Sequence, residues 1–374
     1  MAFADDITLY ALGYWSHEQH PFRINSICLN TKQRKHPCRA CTDICPEGIV
    51  LHTGKAVWTG CTNCNLCVTT CPTSAINQSS TSFEGVRRLI LEGDAPVSFA
   101  CGRTEEHGDV RCTCLATVPW DLAAAAALSN GVVLKADACK DCPHETLVER
   151  VKGLVRALKH FLGKERFSTC VFMHDQPDNM RASGTDKRLA FSRIAEGVAQ
   201  GAETALSGQP TPNMSCYRAL LLDVLAGAQQ QGEPIDVTWQ TLTEDGSCRA
   251  CEICTKMCPH HALELQIPGY TDNGAVDASG EETPSSEEDK EVGPNQWLIH
   301  DATKCTQCGL CYVSCPNENI GGWDNLASSH VPALRAWPID VELCEKCGRP
   351  FKPKDGEVRC IACTRPMFSP SAMR

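Results

Sequence analysis

Cys248-Arg249-Ala250-Cys251-Glu252-Ile253-Cys254-Thr255-Lys256-Met257-Cys258-Pro259 decides how this chain is read. Its spacing, C-x2-C-x2-C-x3-C-P, returns at Cys305, Cys308, Cys311 and Cys315-Pro316. It occurs a third time at Cys61, Cys64, Cys67 and Cys71-Pro72. A fourth copy is stretched: Cys28 stands far ahead of Cys38-x2-Cys41-x3-Cys45-Pro46. The x2, x2 spacing lets one tight turn present three soft thiolates to a [4Fe–4S] cube, and the cysteine before proline crosses to a neighbouring cube. Such runs work in pairs. The expected sets are Cys248, Cys251, Cys254 with Cys315, and Cys305, Cys308, Cys311 with Cys258. Nearer the N-terminus they are Cys61, Cys64, Cys67 with Cys45, and Cys28, Cys38, Cys41 with Cys71. Zinc in these runs, or a three-iron cluster should Cys28 not be a ligand, are the competing readings.

Composition supports metal over disulfides. The chain has 374 residues and 27 Cys, and its N-terminus shows no basic segment followed by an apolar one. A chain this long needs no disulfide staples, and in a cytoplasmic setting clustered Cys points to metal. The longest apolar run, Leu122 to Leu128, is too short to cross a bilayer. The expectation is a cytoplasmic protein without a direct membrane span. A net charge of −10 argues against nucleic acid as a partner, and loaded cubes of roughly −2 each would add to it. No Gly-rich dinucleotide fingerprint or phosphate loop is present, so the chain has many electron sites and no evident place for substrate chemistry.

Between the two pairs of runs the pattern changes. Val97 to Cys101 and Val132-Val133-Leu134 read as strands, and Pro119 to Ser129 as an Ala-rich helix. Leu147, Val151, Leu154, Val155, Leu158 and Leu162 recur at helical spacing, with Arg150, Lys152, Arg156 and Lys159 between them as a solvated basic face or, alternatively, a docking face. Alternating strands and helices make a small α/β domain, whose sites lie at C-terminal strand ends. Cys101, Cys112, Cys114, Cys139 and Cys142 fall there. Cys101, Cys114, Cys139 and Cys142 form a sensible four-thiolate site, with Cys112 as a substitute. A fifth iron–sulfur cluster or metal, a redox dithiol, and idle thiols all remain open. Cys170 and Cys216 read as buried small hydrophobes. His144, His174, His260 and His261 receive no role.

The chain ends on Cys344-x2-Cys347-x12-Cys360-x2-Cys363, the pair–spacer–pair layout of a zinc ribbon. One zinc is expected there, with a single redox iron as the alternative.

Residues 28–76 and 248–320 resemble double-cluster bacterial ferredoxins and the polyferredoxin electron-transfer subunits of anaerobic oxidoreductases. Val97-Ser98-Phe99-Ala100-Cys101, Arg111-Cys112-Thr113-Cys114-Leu115 and Ala138-Cys139-Lys140-Asp141-Cys142-Pro143-His144 more faintly resemble the small iron–sulfur subunit that links hydrogenases to heterodisulfide reductases, a family with a further cluster on such cysteines. The fold expected is α+β: two ferredoxin-like 2[4Fe–4S] modules, 1–80 and 248–325, flanking a small α/β domain over 81–170. A mainly helical connection over 171–247, an acidic loop over 272–295 and a zinc-ribbon-like knuckle over 340–374 complete it. The function expected is a relay of single electrons through four [4Fe–4S] clusters. Its partners would be a catalytic subunit of formate dehydrogenase, hydrogenase or heterodisulfide-reductase type and another redox carrier. An assembly protein for a metalloenzyme, and a disulfide or sulfur reductase acting through the central cysteines, are the alternatives.

Overall fold

The computed structural model describes residues 21–32, 38–49, 59–77, 82–174, 214–266 and 296–364. The acidic loop expected over 272–295 lies outside them, as does most of 171–213. By contacts the chain divides into one unit of Met1–Trp239 with Ala327–Val331, and a second of Gln240–Leu326 with Pro332–Arg374.

The first unit begins with β1 (Phe22–Arg23), α1 (Leu29–Lys32), α2 (Ala40–Asp43), α3 (Leu66–Thr70) and β2 (Ile76–Asn77), which pairs antiparallel with β1. Two of the three short helices carry a cysteine of a run: Cys41 on α2 and Cys67 on α3. α4 (Ser82–Glu92) then leads to β3 (Val97–Cys101), β4 (Val110–Cys112), α5 (Trp120–Ser129), β5 (Val132–Lys135), α6 (Glu145–Leu162), α7 (Lys164–Cys170) and β6 (Val171–Phe172). The four strands form one sheet in the order β4-β3-β5-β6, all parallel. Parallel strands need crossovers, and α5 supplies the one from β4 to β5, α6 and α7 the one from β5 to β6. β3 passes to β4 without a helix. Asp109 secures that short link, its carboxylate accepting from the Ser98 N–H (2.8 Å) and hydroxyl (2.5 Å).

Helix α5 is buried throughout Leu122–Ser129, which is why its sequence is alanine: a small side chain lets neighbours approach on every side. α8 (Cys216–Gln230) brings Leu220, Leu221, Val224, Leu225 and Ala228 into the same core. Arg218 of α8, only 5% exposed, donates to Asp121 at 2.7 Å and lies over the rings of Trp120 (5.0 Å) and Trp239 (5.5 Å). Burial raises the Asp121 pKa and the Arg218 charge opposes that rise, the usual tension of a buried ion pair.

Within the expected helical connection, α8 is helical but β7 (Val237–Glu244) is extended. Its Val237, Trp239 and Thr241 are buried and alternate with half-buried Thr238 and Gln240, a period of two that only a strand satisfies. Cys216 and Cys170 also depart from the buried reading. Cys216 is exposed at the first turn of α8, and Cys170 is half-buried at the end of α7. One position on a helix decides burial by its angle, which a single cysteine does not encode.

The second unit contains α9 (Ile253–Met257), β8 (Leu263–Gln266), β9 (Gln296–Asp301), α10 (Leu310–Ser314), β10 (Ile320–Ser328) and β11 (Leu334–Ile339). β10 pairs with β7, and β11-β9-β8 form an antiparallel sheet. Leu242, Leu263, Leu298, Ile320 and Ile339 pack with Cys248 and Cys311 in its core. The tail closes on β12 (Glu342–Leu343), antiparallel to β13 (Pro350–Phe351), and α11 (Ile361–Thr364).

Candidate iron–sulfur and metal centres

The three regular runs share a backbone signature. The residue before the second cysteine and the residue after it both have positive φ: Asn63 and Asn65, Ala250 and Glu252, Gln307 and Gly309. The third residue after the fourth cysteine does so as well, at Ser74, His261 and Glu318. Most of these are not glycine, and a left-handed L-residue costs about 1–2 kcal/mol. Repeated at one register, that strain marks a functional loop. It turns peptide N–H groups toward sulfur: Asn63 donates to Cys61 Sγ and Gln307 to Cys305 Sγ, each at 3.4 Å. Ala75 donates to Cys71 Sγ at 3.2 Å and Ala262 to Cys258 Sγ at 3.3 Å. The stretched run departs from this at Arg39, which has φ −117 rather than positive, although Gly48 after Cys45 is left-handed.

Each expected foursome gathers in space. Cys45, Cys61, Cys64 and Cys67 line one open cavity of ≈ 340 Å³, together with Pro21, Ile49 and Leu66. Cys248, Cys251, Cys254 and Cys315 line another of the same size, with Leu265, Leu298 and Ile320. Burial pushes the Cys41 thiol up to about 11, with Cys71, Cys38 and Cys28 adding to the rise. Burial likewise pushes Cys311 up to about 12, with Cys308 and Cys258 adding. The foursomes adjoin in pairs. Cys254, raised first by burial, also feels Cys311 of the neighbouring set. Cys67, raised to about 12 by burial, feels Cys41 as well as Cys64, Cys61 and Cys45. A protein that buries four thiols together keeps them protonated, and a cationic metal core is what allows all four to ionise. The donor type, the inward N–H groups and the apolar walls therefore suit an iron–sulfur cube, which supplies one-electron redox chemistry when bound.

The central cysteines meet at the C-terminal edge of the parallel sheet. Cys101 and Cys112 stand opposite each other in the β3–β4 register. Cys114 accepts from the Ala116 N–H at 3.4 Å, and Cys139 and Cys142 lie between β5 and α6. Burial pushes Cys112 up to about 12, helped by Cys101 and Cys114. Cys139 rises to about 11 through burial, then through Cys101, Cys114 and Cys142. Arg150 of α6 opposes the rise at Cys114, and its buried Nε has no hydrogen-bond partner. Sequence reasoning placed Arg150 on a solvated face; the turn of α6 brings it instead toward the thiols.

The tail is built to a different scale. The sulfurs of Cys344, Cys347, Cys360 and Cys363 all lie within 4.8 Å of one another. Among the described residues, no other group of three or more His, Cys, Asp or Glu ligand atoms is so tight. Cys347 and Cys360 sulfurs are 3.7 Å apart. Four sulfurs about 2.3 Å from one tetrahedral ion stand roughly 3.8 Å apart, so the spacing suits a single ion and is too small for a cube. Hydrogen bonding by the Cys360 N–H holds Cys344 down to about 6, while the hydrogen bond with Cys347 pushes Cys363 up to about 12. The four thiols ionise together only around a cation.

Of the histidines, His174 bonds Asp137 at 2.7 Å, His144 heads α6 without a side-chain cap, and His260 is buried beside Cys258 in sequence. Two residues near the clusters escaped the sequence reading. Glu244 and Asp301 each stand four positions before the first cysteine of a run, a repeat that aligning the runs one turn further upstream would have exposed.

Residues 247–319 match the family model of the 4Fe-4S dicluster domain. The chain is 29% identical over 101 residues to the pyruvate-flavodoxin oxidoreductase of Rhodospirillum rubrum, a match covering 23% of this chain and 8% of that protein. No solved structure matches the chain. The 247–319 segment is thus similar to a 4Fe-4S dicluster domain, and the two matches support iron–sulfur electron-transfer chemistry. No helix among the described residues is long and apolar enough to cross a membrane.

Proposed function

We propose that this chain relays single electrons through four [4Fe–4S] clusters arranged as two pairs, between a catalytic oxidoreductase subunit and a second redox carrier. The observation that carries the reading is the adjacency of the cysteine sets: Cys254 beside Cys311, and Cys67 beside Cys41. An electron carrier needs cofactors close enough for transfer, and the adjacency of the sets supports that reading. The protein's own part is to hold the thiols, aim N–H groups at sulfur and set the polarity around each set, which tunes potential. The matched relative is named for passing electrons from pyruvate to flavodoxin, so a small carrier on one side and a catalytic subunit on the other fit the same kind of segment. Formate dehydrogenase, hydrogenase and heterodisulfide-reductase subunits are the catalytic partners proposed.

The central thiols are proposed to hold a fifth iron–sulfur centre on Cys101, Cys114, Cys139 and Cys142, with Cys112 in reserve. The specific observation is Arg150, a cation turned toward Cys114 without a hydrogen-bond partner at Nε. The tail is proposed to hold one structural zinc.

Iron, acid-labile sulfide and zinc per chain after anaerobic purification test this. Four cubes give about 16 iron and about 16 sulfide. Two to four further irons, lost in Cys139→Ser/Cys142→Ser while the 16 remain, assign the centre. Zinc in excess with little iron overturns the relay. A stable stoichiometric complex with a redox subunit supports this reading over an assembly role, for which binding would be transient.

A further inference from the structure

The two halves of the 248–315 segment place an acid at the same register, Glu244 four residues before Cys248 and Asp301 four residues before Cys305. Their surroundings differ. The Glu244 carboxylate accepts from the Cys248 N–H at 2.9 Å and from Asn319 Nδ2 at 3.0 Å. Its other oxygen accepts from the Gly246 N–H at 2.9 Å. Asn319 is buried, and its Oδ1 contacts Cys315 Sγ. One carboxylate thus sits against two cysteines of the same foursome, Cys248 directly and Cys315 through one amide. No cation pairs with it among the described residues. Arg249 is close by, yet its guanidinium is engaged by Glu357.

Asp301 turns the other way. One of its oxygens accepts from the Thr303 N–H and hydroxyl, and the second pairs with Lys304 Nζ at 3.3 Å. Its charge is offset by Lys304. Asn319 adds a second asymmetry. At Cys71 and Cys258 the residue four positions on is alanine, whose N–H donates to sulfur. At Cys315 that position offers the amide side chain linked to Glu244.

A negative charge that no direct ion pair offsets disfavours adding an electron to a cluster beside it. We propose that Glu244 and Lys304 split the potentials of this pair, making the cluster of Cys248, Cys251, Cys254 and Cys315 the lower one and the cluster of Cys305, Cys308, Cys311 and Cys258 the resting place of the electron. One electron moves from the first to the second, with no covalent bond made or broken and no proton released. Glu244 is a positioning residue that acts on the ligands through hydrogen bonds and charge. The inference rests on the cluster reading above.

The test is a redox titration followed by electron paramagnetic resonance on the full chain, anaerobically loaded, for the parent, Glu244→Gln and Lys304→Met. Iron is counted first: fewer than about eight per parent chain, too few for two cubes, sinks the cluster reading itself. With iron complete, Glu244→Gln should raise one wave by about tenfold in its reduced-to-oxidised ratio, ~59 mV for a one-electron couple. Lys304→Met should lower a different wave, and in the parent the first wave should lie below the second. No shift in either variant, a shift of the same wave in both, or the reverse order overturns the proposal. If Glu244→Gln loses about four irons, the wave that vanishes must be the lower of the two, and loss of the upper one overturns it equally.

Discussion

His300 shows how one residue acquires a property its letter does not carry. It is fully buried on β9, its Nδ1 2.8 Å from the Thr241 hydroxyl, with Nε2 buried and without a hydrogen-bond partner. Burial pushes its pKa from 6.5 down to about 4, against the pull of Asp301. The neutral ring is therefore the folded form. Above pH 6.5 both states are neutral and the stability is complete. As pH falls from 6.5 toward 4, the unfolded chain takes up a proton the folded one refuses, and up to ~3 kcal/mol is lost. His300→Gln should flatten that part of the stability–pH profile, measured by urea titration between pH 7 and 4.5. Parallel profiles for the parent and the variant would remove His300 as the cause. Glu244 and Asp301 teach the same lesson: identical register, opposite surroundings.

At the level of elements, the most legible parts were those with a strong period. Leu147, Val151, Leu154, Leu158 and Leu162 spell a helix, and Glu145–Leu162 is one, burying Val151, Leu154, Leu158 and Leu162. The alanines of α5 read as helix, but only packing explains them, since the element is enclosed on all sides. Ala125→Leu inserts three carbons where no space exists, and overpacking of this kind costs about 1–3 kcal/mol. A lowered unfolding midpoint with unchanged iron content is the expected result; an unchanged midpoint would mean that α5 has room beside it. β7 was missed because its alternation is short and follows a helix, and its burial depends on pairing with β10, which lies some eighty residues on.

For the whole molecule, the repeated runs named the chemistry, while scale separated the centres. The tail sulfurs stand at single-ion spacing. The tail also holds to the loop that carries Cys248, through Lys352 Nζ donating to the Gly246 carbonyl at 2.7 Å and Arg249 donating to the Lys352 carbonyl at 3.2 Å. Cys347→Ser/Cys363→Ser should lose about one zinc, leave the iron count unchanged and open residues 340–364 to limited proteolysis. Unaltered zinc would show that the ion lies elsewhere, and an unaltered proteolysis pattern would show that the tail folds without it.

The sequence alone determined the cysteine spacing, and with it the four candidate foursomes and their expected pairing, because spacing within one turn is a local property that a few residues define. It also determined the strongest helix, whose period repeats over five turns. The tertiary structure decided what depends on distant neighbours. It brought five central thiols to one sheet edge with Arg150, gave the tail its single-ion spacing, left Glu244 without an ion pair among the described residues and supplied Asp301 with Lys304. Charge near a buried site acts through distance and dielectric, and both arise only when the chain is folded.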